Sequence, residues 1–146
     1  MKILIINGPN LNLLGQREPD VYGTQPFEAF LETLRAEFAG HDLLYFQSNE
    51  EGALINRLQQ AQHDADGVVL NPGGFTHTSV ALADAVAAIQ VPVMEVHISN
   101  PWAREPYRRH SLLEGRCAGT LAGLGLEGYR LAIELLTESG GKQVTS

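Results

Sequence analysis

The sequence predicts an α/β fold, a three-layer sandwich with helices on both faces of a five-stranded parallel sheet. Three observations carry that expectation. Short β-rich apolar runs alternate along the chain with stretches of helical periodicity. The first run, residues 3–6, is apolar throughout and lacks the in–out alternation of a half-exposed strand, so it reads as covered on both faces. The runs at 3–6 and 67–70 both end in turns rich in Asn, Pro and Gly, where a parallel strand hands over to its crossover.

The first strand, residues 3–6, ends at Asn7-Gly8-Pro9-Asn10. Residues 10–25 have no clean period and are punctuated by Gly15, Pro19 and Gly23; a loop this long in a compact domain is usually functional. Pro26 suits the first helical position, and Phe27, Phe30, Leu31, Leu34 and Phe38 recur at helical spacing until Gly40 stops the helix. Residues 43–46 form the second strand. Ser48-Asn49-Glu50-Glu51 then offers a cap and first-turn acids to a helix with Leu54, Ile55, Leu58 and Ala61 on one face. Residues 67–70 form the third strand, followed by Asn71-Pro72-Gly73-Gly74. Thr78 or Ser79 can cap a helix that turns Ala81, Leu82, Ala85, Val86 and Ile89 inward. Residues 91–96 form the fourth strand, and a long polar segment runs from His97 to about Arg116. A fifth strand is expected at 118–121 and a last helix at 126–136, with Tyr129, Leu131, Ala132 and Leu135 apolar. The chain, 1–146, reads as one catalytic domain with a flexible tail at 138–146. Five strands at this length suggest the flavodoxin-like order 2-1-3-4-5.

Composition excludes several classes. A net charge of −7 argues against a nucleic-acid binder. No apolar run reaches the ~18 residues of a membrane span, and residues 3–6 are too short for a signal-peptide core. The single cysteine, Cys117, permits no internal disulfide; it falls at an expected strand start and reads as a small buried hydrophobe. A reducing, cytoplasmic setting follows as the expectation. Lys2 and Lys142 are the only lysines; neither suits a desolvated Schiff-base pocket, and no P-loop is present.

Ligands of open α/β sheets bind outside the carboxyl ends of the strands. Three segments leave strands at that edge, beginning at Asn7, Asn71 and His97, in strands adjacent in the expected order. Glu95, His97 and Ser99 are spaced by two, so they share a face if the strand persists. A carboxylate beside a histidine fixes its tautomer and suits it to act as a general acid. No third ligand stands at metal-binding spacing, and no metal is expected. Arg17 and Tyr22 share the first loop; they read either as a cation activating a tyrosine base or as ordinary loop residues. Arg104, Arg108, Arg109 and Arg116 read either as a patch for a carboxylate or phosphate or as a solvated run paired with Glu105 and Glu114. Asn71-Pro72-Gly73-Gly74 with His77-Thr78-Ser79 reads as a tight turn and cap, or as amides presented to an anion. Gly123-x-Gly125-x-x-Gly128 matches the dinucleotide fingerprint only as a string. It lacks the following strand and acidic residue, so close packing explains it better, and no cofactor is expected.

Several segments together resemble type II 3-dehydroquinate dehydratase. They are Ile6 to Pro19 with Tyr22-Gly23, Gln47-Ser48-Asn49-x-Glu51-Gly52, and Asn71-Pro72-Gly73-Gly74-x-Thr76-His77-Thr78-Ser79. Glu95-x-His97-Ile98-Ser99-Asn100, Arg104-Glu105-x-x-Arg108 and Gly123 to Ala132 complete the set. The similarity runs from about residue 2 to 137; Glu50 departs from it, where the family often has histidine. The resemblance implies a lyase that dehydrates 3-dehydroquinate to 3-dehydroshikimate in the shikimate pathway of aromatic amino-acid biosynthesis. It implies Tyr22 as the base, His97 as the acid, Arg17 as the activating loop arginine, Asn10 as an enolate support and Glu95 as the partner of His97. Asn71, His77, Ile98, Ser99 and Arg108 would contact substrate, and Asp84 would reach a neighbouring subunit's site in a homo-oligomer, typically a dodecamer built as a tetramer of trimers. The missing pocket lysine excludes the imine-forming type I enzymes. Two other classes fit less well. An FMN carrier wants a Ser/Thr/Gly-rich loop after the first strand, and a receiver domain wants acids where Asn7 and Asn71 stand.

Overall fold

A computed structural model of the chain describes residues 1–16, 20 and 25–138. Five strands run parallel in one sheet: β1 Lys2–Asn7, β2 Asp42–Gln47, β3 Gly67–Asn71, β4 Val93–His97 and β5 Gly119–Ala122. Their order is β2-β1-β3-β4-β5, as the sequence predicts. The crossover helices are α1 Phe27–Glu37, α2 Glu51–Asp64 and α3 Val80–Ala88, and α4 Glu127–Glu138 follows β5.

The pleat of β1 divides the core. Ile3 and Ile5 pack with Phe27, Leu31 and Leu34 of α1 and Tyr129, Ile133 and Leu136 of α4 on one face. Leu4 and Ile6 pack with Leu54 and Leu58 of α2 and Leu82 and Val86 of α3 on the other. All four β1 side chains are fully buried, which explains the unbroken apolar run. Truncating one such leucine or isoleucine to alanine costs about 2–5 kcal/mol.

Local chemistry moved some boundaries from their expected positions. Pro26 is the N-cap of α1, not its first residue: its ψ of 146° is extended, so helical geometry starts at Phe27. Pro92 lacks an N–H for the ladder, so β4 begins at Val93, two residues later than expected, and it continues to His97. Ser48 does not cap α2 directly; its Oγ accepts from Glu50 N at 3.0 Å, one turn before the helix. Ser79 does cap α3, accepting from Leu82 N at 2.9 Å and donating to Glu51 of α2 at 2.5 Å. Ala81 is exposed and Ala83 buried, a slip of the inward face of α3. The long polar segment after β4 contains two 3-10 turns, Pro101–Ala103 and Pro106–Arg109, which its sequence did not signal. No helix among the described residues is long and apolar enough to cross a membrane.

Candidate active site

The carboxyl ends of β1, β3 and β4 converge because their connections are forced together. A Cβ on Gly8 would stand 2.6 Å from the Pro72 carbonyl oxygen, so only glycine lets the loop after β1 cross the turn after β3. Gly8 N donates to Asn71 O at 2.7 Å and locks that crossing. Asn10, left-handed at φ 70°, then turns the chain into a 3-10 turn, Leu11–Leu13, with Asn10 N donating to Asn49 at 2.9 Å.

Between these ends lies a cleft of about 130 Å³. Asn10, Asn71, His77, His97, Ile98 and Ser99 line it, with Arg104 and Arg108 at its basic side. Beneath it, α4 contributes a buried polar chain. Tyr129 Oη donates to Asn7 Oδ1 at 2.7 Å and accepts from Asn71 Nδ2 at 2.8 Å, while Asn71 Oδ1 accepts from Gly73 N at 3.1 Å. Asn71 is therefore fixed in orientation, although it is almost fully buried. Burial drives the Tyr129 phenol upward and out of the physiological range, so this hydroxyl acts only as a neutral donor and acceptor.

Glu95 and His97 do share a face. Glu95 is fully buried, and its Oε2 meets His97 Nε2 at 2.5 Å. Thr76 Oγ1 donates to the same oxygen at 2.6 Å, and Ser111 Oγ lies 3.0 Å from it. Burial alone would raise this carboxyl; hydrogen bonds and charge from His97, with the two hydroxyls, outweigh it and hold Glu95 below the ordinary carboxylate range. Glu95 is thus an anion with its negative charge aimed at the imidazole. His77 is pulled below its ordinary value, chiefly by burial and against the hydrogen bond its Nδ1 shares with His110 O at 2.7 Å. A neutral His77 beside the Glu95 carboxylate can bind a hydroxyl without adding charge.

The strand geometry ends before Ser99, whose hydroxyl accepts from Arg104 at 3.2 Å. Gly123 secures this bend. At φ +81° it donates to His97 O and Ser99 O, at 3.2 and 3.0 Å, and Gly125 donates to Ile98 O at 3.1 Å. The Gly123-x-Gly125-x-x-Gly128 string is therefore a brace for the β4 end, in line with the packing expected of it.

The class II dehydroquinase family model matches residues 1–137. The chain belongs to this family. Among its relatives, the 3-dehydroquinate dehydratase of Bacillus licheniformis is 53% identical over 142 residues, 96% of this chain and 98% of that one. The catabolic 3-dehydroquinase of Aspergillus clavatus is 52% identical over 134 residues, covering 90% of this chain and 89% of its own length. The crystal structure of type II dehydroquinase from Butyrivibrio crossotus superposes with a TM-score of 0.90 at 43% identity, covering 94% of this chain and 97% of the other.

Within this member of the family, the residues proposed from sequence divide into three groups. Asn10, Asn71, His77, His97, Ile98, Ser99 and Arg108 line one cleft, with Glu95 behind His97. Asp84 does not line it; it is exposed on α3, its carboxylate 3.9 Å from Arg116. Arg17 and Tyr22 lie outside the described residues. The four-arginine cluster separates: Arg104 and Arg108 line the cleft, Arg108 also pairing with Glu105 at 2.5 Å, while Arg116 faces Asp84 rather than Glu114. Thr76 and Ser111 were not singled out as functional. Thr76 sits inside a recognised turn, but Ser111 lies in a stretch without period, and only the fold brings it to Glu95. Among the described residues, no group of three His, Cys, Asp or Glu side chains could hold a metal ion.

Proposed function

We propose that this chain dehydrates 3-dehydroquinate to 3-dehydroshikimate through an enolate, without an imine. The observation that carries the reading is the buried Glu95–His97 pair, at 2.5 Å, opening on a cleft with two arginines in a chain of this family. Tyr22, as tyrosinate, takes the proton from C2, and the electrons move onto the ketone oxygen. Asn10 supports that oxygen, and Arg17 favours the ionised tyrosine. The enolate then re-forms the ketone, the C1–O bond breaks, and His97 protonates the departing hydroxyl, which leaves as water. Glu95 holds the imidazole for that transfer and balances its charge before the proton is given up. Arg108, Asn71, His77, Ile98 and Ser99 bind the substrate's carboxylate, hydroxyls and ring; arginine suits the carboxylate because its planar fork bonds both oxygens.

The same reading includes a homo-oligomer, a dodecamer, in which Asp84 reaches a neighbouring subunit's site, and exposure of Asp84 on α3 is compatible with that role. It includes a single catalytic domain in the cytoplasm. Cys117 fits a reduced, structural thiol, since burial pushes it up to about 12. The test is direct: purified protein is mixed with 3-dehydroquinate and absorbance is followed in the enone band. Growth of that band supports the reading, and a flat trace at micromolar enzyme contradicts it. Borohydride added with substrate leaves activity intact; a reduced adduct on Lys2 or Lys142 contradicts the enolate route.

A further inference from the structure

We infer that Thr76 and Ser111 are positioning residues for His97, joined in a one-way chain of hydrogen bonds that holds the Glu95 carboxylate where it aims the imidazole. The inference rests on the reading of His97 as the general acid.

The direction of the chain follows from counting protons. Ser111 Oγ accepts from Leu113 N at 3.1 Å and from Glu114 N at 3.2 Å. A hydroxyl offers two lone pairs and one proton, so both pairs are committed to these amides. Ser111 must then donate its one proton, and the nearest acceptor is Thr76 Oγ1 at 2.7 Å, ahead of the Glu95 oxygens at 3.0 and 3.2 Å. Thr76 passes its own proton to Glu95 Oε2 at 2.6 Å. Backbone amides, two hydroxyls and the carboxylate are thus polarised in one direction, and each bond strengthens the next. All of them serve the ionised form of Glu95.

The chain is rigid because its two segments are tied to each other. Leu112 N donates to Thr76 O at 2.7 Å, and His77 shares a hydrogen bond with His110 O at 2.7 Å. Thr76 is fully buried in the 3-10 turn Gly73–His77. Neither Thr76 nor Ser111 lines the cleft; both line a small adjoining cavity with Glu95 and His97, and their hydrogen bonds lead to Glu95. The titratable groups that face Glu95 are His97 on its own strand, His77 from the turn and Cys117 ahead of β5. Arg108, Arg109 and Glu114 border the small cavity that Glu95 and Ser111 share.

The experiment measures kcat, KM and the pH profile of kcat for Thr76→Val, Ser111→Ala, the double variant and Thr76→Ser, beside His97→Asn. Thr76→Val removes only the hydroxyl; Ser111→Ala removes the source of the chain. Each single variant is expected to lower kcat about tenfold or more, the scale of one hydrogen bond to a charged group. KM stays within about twofold, because neither side chain lines the cleft, and the acidic limb of the kcat profile moves up by about one pH unit, since Glu95 loses the Thr76 hydrogen bond or the Ser111 bond that strengthens it. Thr76→Ser restores the wild-type limb. The double variant is no slower than the slower single variant, as for links in series. Should Thr76→Val fail to fold, Ser111→Ala reads the same limb.

A folded single variant with an unmoved acidic limb overturns the inference, whatever its kcat, because a merely structural role lowers activity without retuning Glu95. An inactive His97→Asn beside such a result leaves the acid reading standing and removes only the positioning chain. An active His97→Asn removes the acid reading and the inference together.

Discussion

Replacing Glu95 with glutamine changes one charge and almost no volume, and it isolates what the buried carboxylate does. In the wild type, a fully buried anion accepts from His97 at 2.5 Å and from Thr76 at 2.6 Å, with Ser111 acting through Thr76 at 2.7 Å. A hydrogen bond to a charged group contributes about 1.5–3 kcal/mol, roughly twice a neutral one. Glutamine has one acceptor oxygen for these donors, and its amide turns a new donor toward a partner already donating. The interaction that orients His97 and balances its proton therefore weakens by about 1.5–3 kcal/mol, and kcat of Glu95→Gln falls by about ten- to a hundredfold. The acid dependence of stability gives an independent reading. Glu95 is depressed in the folded state, so its contribution is present above the unfolded carboxyl value, about 4.3, and disappears as pH falls through its lower folded value. Glu95→Gln carries no such group, so urea unfolding between pH 6 and pH 2 shows a shallower loss of stability than the wild type. Turnover within threefold of wild type, together with an unchanged acid slope, refutes the reasoning.

Three further outcomes are expected. Tyr22→Phe loses nearly all turnover, and Arg17→Lys recovers only part of what Arg17→Ala loses, because an ammonium lacks the planar fork; steady-state kinetics check both, and a Tyr22→Phe rate within threefold of wild type means another residue takes the proton. Gly8→Ala places a methyl 2.6 Å from the Pro72 carbonyl, so the crossing of the two site loops opens; thermal unfolding shifts down, and an unchanged midpoint contradicts the claim that glycine is required there. Light scattering at micromolar concentration gives an oligomeric mass, and Asp84→Ala lowers activity; a fully active monomer defeats both expectations.

The fold was legible because each layer has its own signature. The solid apolar run of β1 marks a strand covered twice, and the helical spacing of Phe27, Leu31 and Leu34 marks the face that covers it. Boundaries were less legible: Pro26 and Pro92 each tolerate more than one terminal position, and the choice depends on ψ and ladder partners that sequence does not encode locally. The site divided in the same way. Glu95 and His97 could be paired from a two-residue spacing in one strand. Ser111 could not be joined to them, since it follows two 3-10 turns in a segment without period and meets Glu95 only through the tertiary fold. The arginines read from sequence either as a ligand patch or as a solvated run of ion pairs, and the fold divides them between the two: Arg104 and Arg108 line the cleft, while Arg116 pairs with Asp84 on α3. Tyr129 was read from spacing as apolar; it is buried as expected, yet its hydroxyl joins Asn7 to Asn71 across 122 and 58 residues, a role that periodicity cannot report.

The most direct measurement is enone absorbance on mixing 3-dehydroquinate with the wild-type protein and, in parallel, with His97→Asn. Positioned acid catalysis typically contributes about 10²–10⁴-fold. The account predicts steady product formation by the wild type and a rate lower by that factor for His97→Asn, with KM little changed. Equal traces from the two proteins, whether both rising or both flat, contradict it.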